Sequence, residues 1–398
     1  DDPQLPKELR FTLVSDIHHG PIIPAHGTAL AVVDTRVLVN GEQLFPEEYP
    51  ATLQTVLALD GTMTSRLDLP AKRMPIGKQG VTVDFQGLEG SLTTDRDFQQ
   101  FQATMNSPGT QVTENGVEVL SIGPMRLDSN SQRGVQGLML GTGKLQLAYL
   151  RAKDGDVGQV FNISEITLAA ESHAEGEQVA ASMTTTLKSV DAMGRKYGQS
   201  ELTFSMGNLY APVLVKIQQA LDEVRTQNID PQMQGIAVAS TLMTQAPLLL
   251  KHDPKLAIDR LYVETPEGPL EGTLTMQSRG MTFDDLQGGF GFLQKLDADT
   301  TISMPESLFR QLNRMQTERQ VTRQIEMRKR LDEKFIPPQP AQLQQLIERT
   351  ADQQLAALVE QKLVIRKGTQ LTSQATFQKG LLTVNGSRLD LPFLPPPQ

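Results

Sequence analysis

The chain has no cysteine and no tryptophan, and only five Tyr and fourteen Phe among 398 residues. Without cysteine there are no disulfide scaffolds, thiolate metal sites or cysteine nucleophiles. The shortage of aromatic rings argues against a protein that reads sugars or nucleic-acid bases by stacking. Positive charge is also short. Acidic residues number 46 against 37 basic, for a net charge of -9, whereas phosphate neutralisation needs a concentrated basic face. No nucleic-acid partner is expected. The one basic cluster, Arg323 to Lys334, is interleaved with Glu326, Asp332 and Glu333 and reads as a solvated helix face. No stretch approaches the ~20 apolar residues expected of a membrane span. The chain opens Asp1-Asp2-Pro3 rather than with Met, so an upstream segment is expected to have been removed.

Hydrophobic residues make up 38% and charged residues 21%, a globular composition long enough for two or three domains. From Arg10 to Met206 the pattern is strands and turns. Leu145, Leu147 and Tyr149 alternate with Lys144, Gln146 and Ala148, the period-two mark of a half-buried strand. Val117 and Val119 follow the turn signal Glu114-Asn115-Gly116 in the same way. Further strands are predicted at Val81 to Phe85, Ile163 to Ala169, Val179 to Leu187 and Glu201 to Met206, with Asp97 to Met105 as one short amphipathic helix.

The character changes at Asn208, read as the N-cap of a helix carrying Leu209, Val213, Leu214, Ile217, Leu221 and Val224. A second helix begins after Asp230 with Pro231 in its first turn and is disturbed by Pro247. The two are expected to form a helical hairpin on a sheet. Leu256, Ile258 and, after a slip, Leu261 and Val263 lead through Pro266-Glu267-Gly268 to Leu270, Leu274 and Met276, a β-hairpin. Ser303-Met304-Pro305-Glu306 has capping-box spacing before a helix that Pro337, Pro338 and Pro340 break. Another helix is predicted from Ala341 to Leu363. Leu371, Ser373, Ala375 and Phe377, the turn Gln378-Lys379-Gly380, then Leu382 and Val384 make a closing hairpin, and the tail ends in Pro395-Pro396-Pro397. The order hints at an internal repeat, without a fixed period.

No group of residues stands out as a reaction centre. Asp16-Ile17-His18-His19, with His26 nearby, could offer metal ligands, but adjacent residues of a strand point to opposite faces, so an ordinary strand end is favoured. His173 and His252 stand apart from these in sequence. A Ser-His-Asp triad is spatial and escapes counting, yet there is no G-x-S-x-G elbow. Gly288-Gly289-Phe290-Gly291 lacks the Gly-Lys-Ser/Thr ending of a phosphate loop and reads as a turn. Asp284-Asp285 and Asp297/Asp299 read as loop acids. No cofactor, metal or catalytic residue is expected. The many Leu and 15 Met suit either a filled core or an apolar groove.

Three blocks resemble the YdgA-like family of Gram-negative bacteria. They are Leu13-Val14-Ser15-Asp16-Ile17-His18-His19-Gly20-Pro21, then Ala246 to Pro254 with Ala257-Ile258 and the Pro266-Glu267-Gly268 turn, and finally Phe377 to Gly386. The resemblance implies an N-terminal membrane anchor upstream and a periplasmic location for the residues shown. It brings no catalytic or binding residues; His19, Gly20 and Pro21 form the family motif in a structural role. A looser likeness to AsmA-type envelope proteins is analogy only.

The expected fold is α+β: long curved antiparallel sheets with two helical pairs packed against them, as a β-rich domain 1–206 and an α+β domain 207–398. The expected function is non-enzymatic: a periplasmic protein, tethered to the inner membrane, that binds an apolar ligand or lipid in a sheet-lined groove. The alternatives are an envelope scaffold that binds another envelope protein or a second copy, and a hydrolase with a dispersed site.

Overall fold

A computed structural model of the chain describes residues 11–23, 27–39, 42–43, 51–76, 80–153, 160–192, 194–226, 231–282, 284–285, 291–331 and 339–389. It is strand-rich and antiparallel, with four long helices among the described residues. His26, Gly288 to Phe290, Asp332 to Lys334, Pro337, Pro338 and the proline tail lie outside them. The chain divides into two compact units, residues 1–242 and 243–398.

The first unit is built on one open ladder. Its strands are β1 (Phe11–His19), β2 (Ala31–Val39), β3 (Thr52–Leu57), β4 (Met63–Leu69), β5 (Leu88–Thr94), β6 (Gln100–Ser107), β7 (Met125–Arg133), β8 (Met139–Lys153), β9 (Val160–Glu175), β10 (Gln178–Leu187) and β11 (Ser200–Tyr210). They pair antiparallel in that order. A second ladder runs beside it through Lys72–Ile76, Val81–Phe85, Thr110–Glu114 and Val117–Ile122. It then takes in the far halves of β8 and β9, followed by Ser189–Ala192 and Arg195–Tyr197.

The alternation read at Leu145, Leu147 and Tyr149 holds: these side chains are half-buried while Lys144, Gln146 and Ala148 are exposed. The helix expected at Asp97 to Met105 does not form. Phe101, Ala103 and Met105 alternate with exposed Gln100, Gln102 and Thr104 on β6. Residues 95–98 form its turn, where the Asp95 carboxylate accepts the backbone N–H groups of Gln99 (2.6 Å) and Gln100 (3.0 Å). Phe98 sits in that turn with φ 54 and faces solvent.

Helix α1 (Ala211–Thr226) follows β11 directly. Asn208 is therefore not its N-cap but a strand residue, and the Ala211 N–H donates to the Glu177 carbonyl at 2.8 Å instead. Ala211 joins Leu138, Leu140 and Val179 in a buried cluster, with Leu209, Leu214 and Val215 packed around it. Helix α2 (Pro231–Leu250) starts where Pro231 predicts and continues through Pro247. Residues Met233–Leu250 are long and apolar enough to cross a membrane by length and composition. This corrects the expectation that no segment approaches a span: Gln, Ser and Thr interrupt the apolar run, but no charge does.

In the second unit, β12 (Lys255–Thr265), β13 (Gly268–Ser278), β14 (Leu296–Pro305), β15 (Gln370–Gln378), β16 (Leu381–Val384) and β17 (Ser387–Leu389) pair in chain order. The slip read between Ile258 and Leu261 is a register shift in β12, after which Val263 faces Leu270. Between β14 and β15 stands a helical arm, α3 (Glu306–Leu331) and α4 (Pro340–Glu360). The capping box expected at Ser303 does not form, because Ser303 is held in the sheet between Glu271 and Thr372. Glu306 is instead the first helical residue, and its carboxylate accepts from Arg310 (3.0 Å) and Arg366 (2.8 Å). Burial pushes the Glu306 carboxyl up, but the hydrogen bonds from Arg310 and Arg366 leave it below its ordinary value. The arm is closed at its base by Leu308, Thr317, Ile347, Ala351 and Leu355, all buried.

Candidate apolar binding surface

Residues opposite each other in an antiparallel ladder share a face. The registers place Leu53, Leu67, Met105, Leu127, Leu145, Leu168 and Leu202 in one row across β3 to β11, with Gly90 and Thr185 in the gaps. The next row on that face carries Val33, Leu92, Ala103, Ala170, Met183 and Phe204, with Thr55, Ser65, Ser129 and Gly143 between them. On the opposite face lie Asp34, Gln54, Arg66, Ser91, Thr104, Asp128, Lys144, Thr184 and Thr203. Polar groups there bond across strands, including Gln54 to Asp34 (2.9 Å), Ser91 with Thr104 (2.8 Å) and Thr184 with Thr203 (3.1 Å). One face is thus polar and the other predominantly apolar, with one hydroxyl pair, Thr55 and Ser65 (2.8 Å), on it.

A sheet covered by helices buries such a row almost completely. Here no side chain of these two rows is fully buried: Met183 is 45% and Leu202 39% exposed, and the Leu residues at 53, 67, 127, 145 and 168 are half-buried.

Along one edge of that face the strands break in register. Pro70-Ala71 follows β4, Gln86-Gly87 precedes β5, Pro108-Gly109 follows β6 and Gly123-Pro124 precedes β7. In β9 the same line falls at Glu165, which has φ 48. A recess of about 680 Å³ follows these breaks, lined by Leu69, Leu88, Met125, Leu147 and Ile166 with Glu89, Arg126 and Glu165 among its polar groups. Its volume lies within the ~300–1,000 Å³ of small-molecule sites. Arg126 is paired with Asp128 at 2.7 Å, and Glu165 with Lys188. Gly109 (φ 132) has no alternative at its break, because a Cβ there would overlap the Ile122 carbonyl oxygen. The recess lies along the sheet itself rather than between sheet and helices. Only the recurrence of Gly and Pro at 70, 87, 108, 109, 123 and 124 could have signalled it.

The histidine segment behaves as a strand end. His18 faces Val32 and His19 faces Ala31 on the neighbouring strand. The His18 Nε2 lies 3.7 Å from the Asp34 carboxylate, and Asp16 is bridged by Arg36 at 3.0 Å. His19 and Pro21 are exposed and Gly20 turns the chain at φ 139. Just beyond them Ile23, Ala29 and Val32 form a buried cluster. Among the described residues no three His, Asp or Glu side chains converge on a point suited to a metal.

Asp297 and Asp299 are not loop acids: both belong to β14, and Asp297 is paired with Arg279. Asp285 accepts from Lys295 (2.7 Å) and from the Thr282 hydroxyl and backbone N–H (2.6 Å each), which hold its carboxyl down to about 2. Asp285 and Asp297 are thus held in structural pairs.

Residues 1–392 match the model of a family described as "Bacterial protein of unknown function (DUF945)". No curated protein and no solved structure matches the chain.

Proposed function

Since the chain belongs to the DUF945 family of bacterial proteins of unknown function, we propose that its first unit binds acyl chains of a lipid on the apolar face of its open sheet. The observation that carries this is the pair of Leu-, Met- and Phe-bearing rows left without cover from β2 to β11. Nine intervals at about 4.8 Å give a face about 43 Å wide. That exceeds the ~30 Å spanned by the two opposed chains of a bilayer core. Each methylene buried there contributes roughly 0.8 kcal/mol, so a single chain seated across several rows is held without any charged anchor. The aligned breaks let the sheet curve around such a chain, and the recess at Leu69, Leu88 and Met125 offers a place to seat it. Curvature, a place in the envelope of a YdgA-like protein and tethering to the inner membrane belong to the same proposal, and the reading requires no chemistry.

Native mass spectrometry of protein taken from its own envelope, followed by organic extraction, tests it. A lipid bound in fixed stoichiometry is expected. The charged pair Met183→Asp and Leu202→Asp should lose that lipid, while Thr184→Asp and Thr203→Asp on the polar face keep it. A lipid-free mass for the native chain overturns the proposal.

A second reading is favoured by the arm. Leu312, Met315, Met327, Leu331 and Leu346 are exposed on α3 and α4, with Leu331 at 88%. This supports a scaffold that grips another envelope protein or a second copy by its helices. Light scattering of the chain with and without the arm tests it; association that survives arm removal counts against it.

A further inference from the structure

Leucine carries most of the row from Leu53 to Leu202 on the apolar face of the first unit. Beyond that row, on β8 to β11, methionine takes over. A recess of about 370 Å³ lies there, rimmed by Met139, Met183, Phe204 and Met206. Met183 faces Phe204 across the ladder, and Met206 follows in the next row opposite Ala181. The floor between them is small: Gly143 faces Ala170, and the Gly141 N–H donates to the Ser172 hydroxyl at 3.1 Å. A Cβ added at Gly143 would meet nothing within 4 Å. Over such a floor the three thioethers and one ring supply the large apolar groups of the recess. Met139 is 41% and Met183 45% exposed, and Met206 is half-buried.

We propose that Met139, Met183 and Met206 form an oxidation site, at which conversion of the thioethers to sulfoxides by hydrogen peroxide releases the lipid proposed for this face. The inference rests on that reading of the sheet. At each sulfur a lone pair attacks a peroxide oxygen, the O–O bond breaks and an S–O bond forms. Sulfur is oxidised by two electrons and the peroxide is reduced to water. A dithiol reductase reverses the step, its thiols closing to a disulfide as the oxygen leaves as water. The chain has no cysteine, so no thiol of its own competes for the oxidant or performs the return step. A thioether is apolar and adapts to the shape of an acyl chain. A sulfoxide is polar, and pressing it against hydrocarbon without a hydrogen-bond partner is unfavourable. Leucine, used in the neighbouring row, packs as well but cannot respond in this way.

The test takes the full chain with its native lipid through brief hydrogen peroxide treatment, with native mass spectrometry before and after and peptide mapping of the sulfoxides. Sulfoxide at positions 139, 183 and 206 is expected together with loss of the lipid, the strand circular dichroism being kept. Methionine sulfoxide reductase should then restore lipid uptake. Met233, Met243, Met315 and Met327 are exposed elsewhere, and replacing these four with Leu should leave the peroxide-driven loss as it is. A chain with Met139→Leu, Met183→Leu and Met206→Leu, a swap of similar volume, should carry the same lipid content before and after peroxide. The proposal is overturned, with lipid binding left standing, if lipid stays on a chain oxidised at the three positions. It is overturned in the same way if those sulfurs stay reduced while Met243 and Met327 oxidise, if the triple variant still loses lipid to peroxide, or if that variant carries none. Loss of strand signal on oxidation also overturns it, since unfolding then explains the release. A lipid-free native chain overturns the parent reading, and this one with it.

Discussion

Single residues divide into those that hold the fold and those it leaves free. Val384 is 8% exposed in the closing hairpin, whereas its neighbour Leu382 is half-buried. Val384→Asp strands an unpaired charge and should cost on the order of 3–5 kcal/mol, read as a lower urea midpoint. Leu382→Asp should cost clearly less, although the sequence pattern treats the two positions alike. The Asp285 carboxyl titrates well below its ordinary 3.8, at about 2, first through the hydrogen bond from Lys295. A group depressed in this way favours the folded state above its unfolded value and loses that contribution as pH falls from about 4 towards 2. Carbon-detected NMR should therefore place its midpoint near 2, and Lys295→Met should move the midpoint upward. An unchanged midpoint would mean that Thr282 alone holds the carboxylate. Gly109→Ala should destabilise the first unit by about 1–3 kcal/mol, whereas Gly143→Ala, with open space where the Cβ would stand, should be tolerated.

At the scale of elements, the arm is an insertion between strands that already pair. Pro305 and Gln370 are register partners, and the Glu306 N–H donates to the Thr369 carbonyl at 2.9 Å. Replacing residues 307–368 with a short turn should leave the β12–β17 sheet folded, with strand circular dichroism retained and helical signal lost. Global unfolding would show that Leu308 and the Glu306–Arg366 pair are required for that sheet. Within the arm, Arg310 reaches Glu306 and, on the other helix, Asp352, while the Asn313 side chain donates to the Ala351 carbonyl at 3.3 Å. These are partly exposed contacts, so Arg310→Ala should loosen the base by about 1 kcal/mol or less. Strand boundaries at this scale were well marked. Asn115-Gly116, Lys379-Gly380 and Asn385-Gly386 all have positive φ, the conformation that tight two-residue hairpins require. Helix starts were not well marked. Ser303 and Asn208 carry capping chemistry, but Ser303 is paired in the sheet and Asn208, at φ 56, sits at an irregularity of β11 before the helix starts at Ala211.

The whole first unit poses the question that local pattern cannot settle, namely which side of its sheet is covered. Charging the apolar face answers it physically. If the face is open, Met183→Asp should change stability by less than about 1 kcal/mol and act on lipid content, because a side chain 45% exposed has little apolar burial to lose. A large loss of stability would instead reveal a covering layer. Local residue pattern fixes most of the strands, their two-faced alternation, the closing hairpins and the slip in β12. These depend on periods of two and on turn residues, which act over a few positions. Only the tertiary structure decided that the breaks at Pro70, Gly87, Pro108 and Pro124 fall on one line. The same holds for Asp97 to Met105 extending as a strand, for the arm standing between paired strands, and for the apolar side of the sheet being left uncovered. Each depends on register and packing between residues far apart in the chain, and a periodic pattern says which side of an element is apolar but not what, if anything, lies against it.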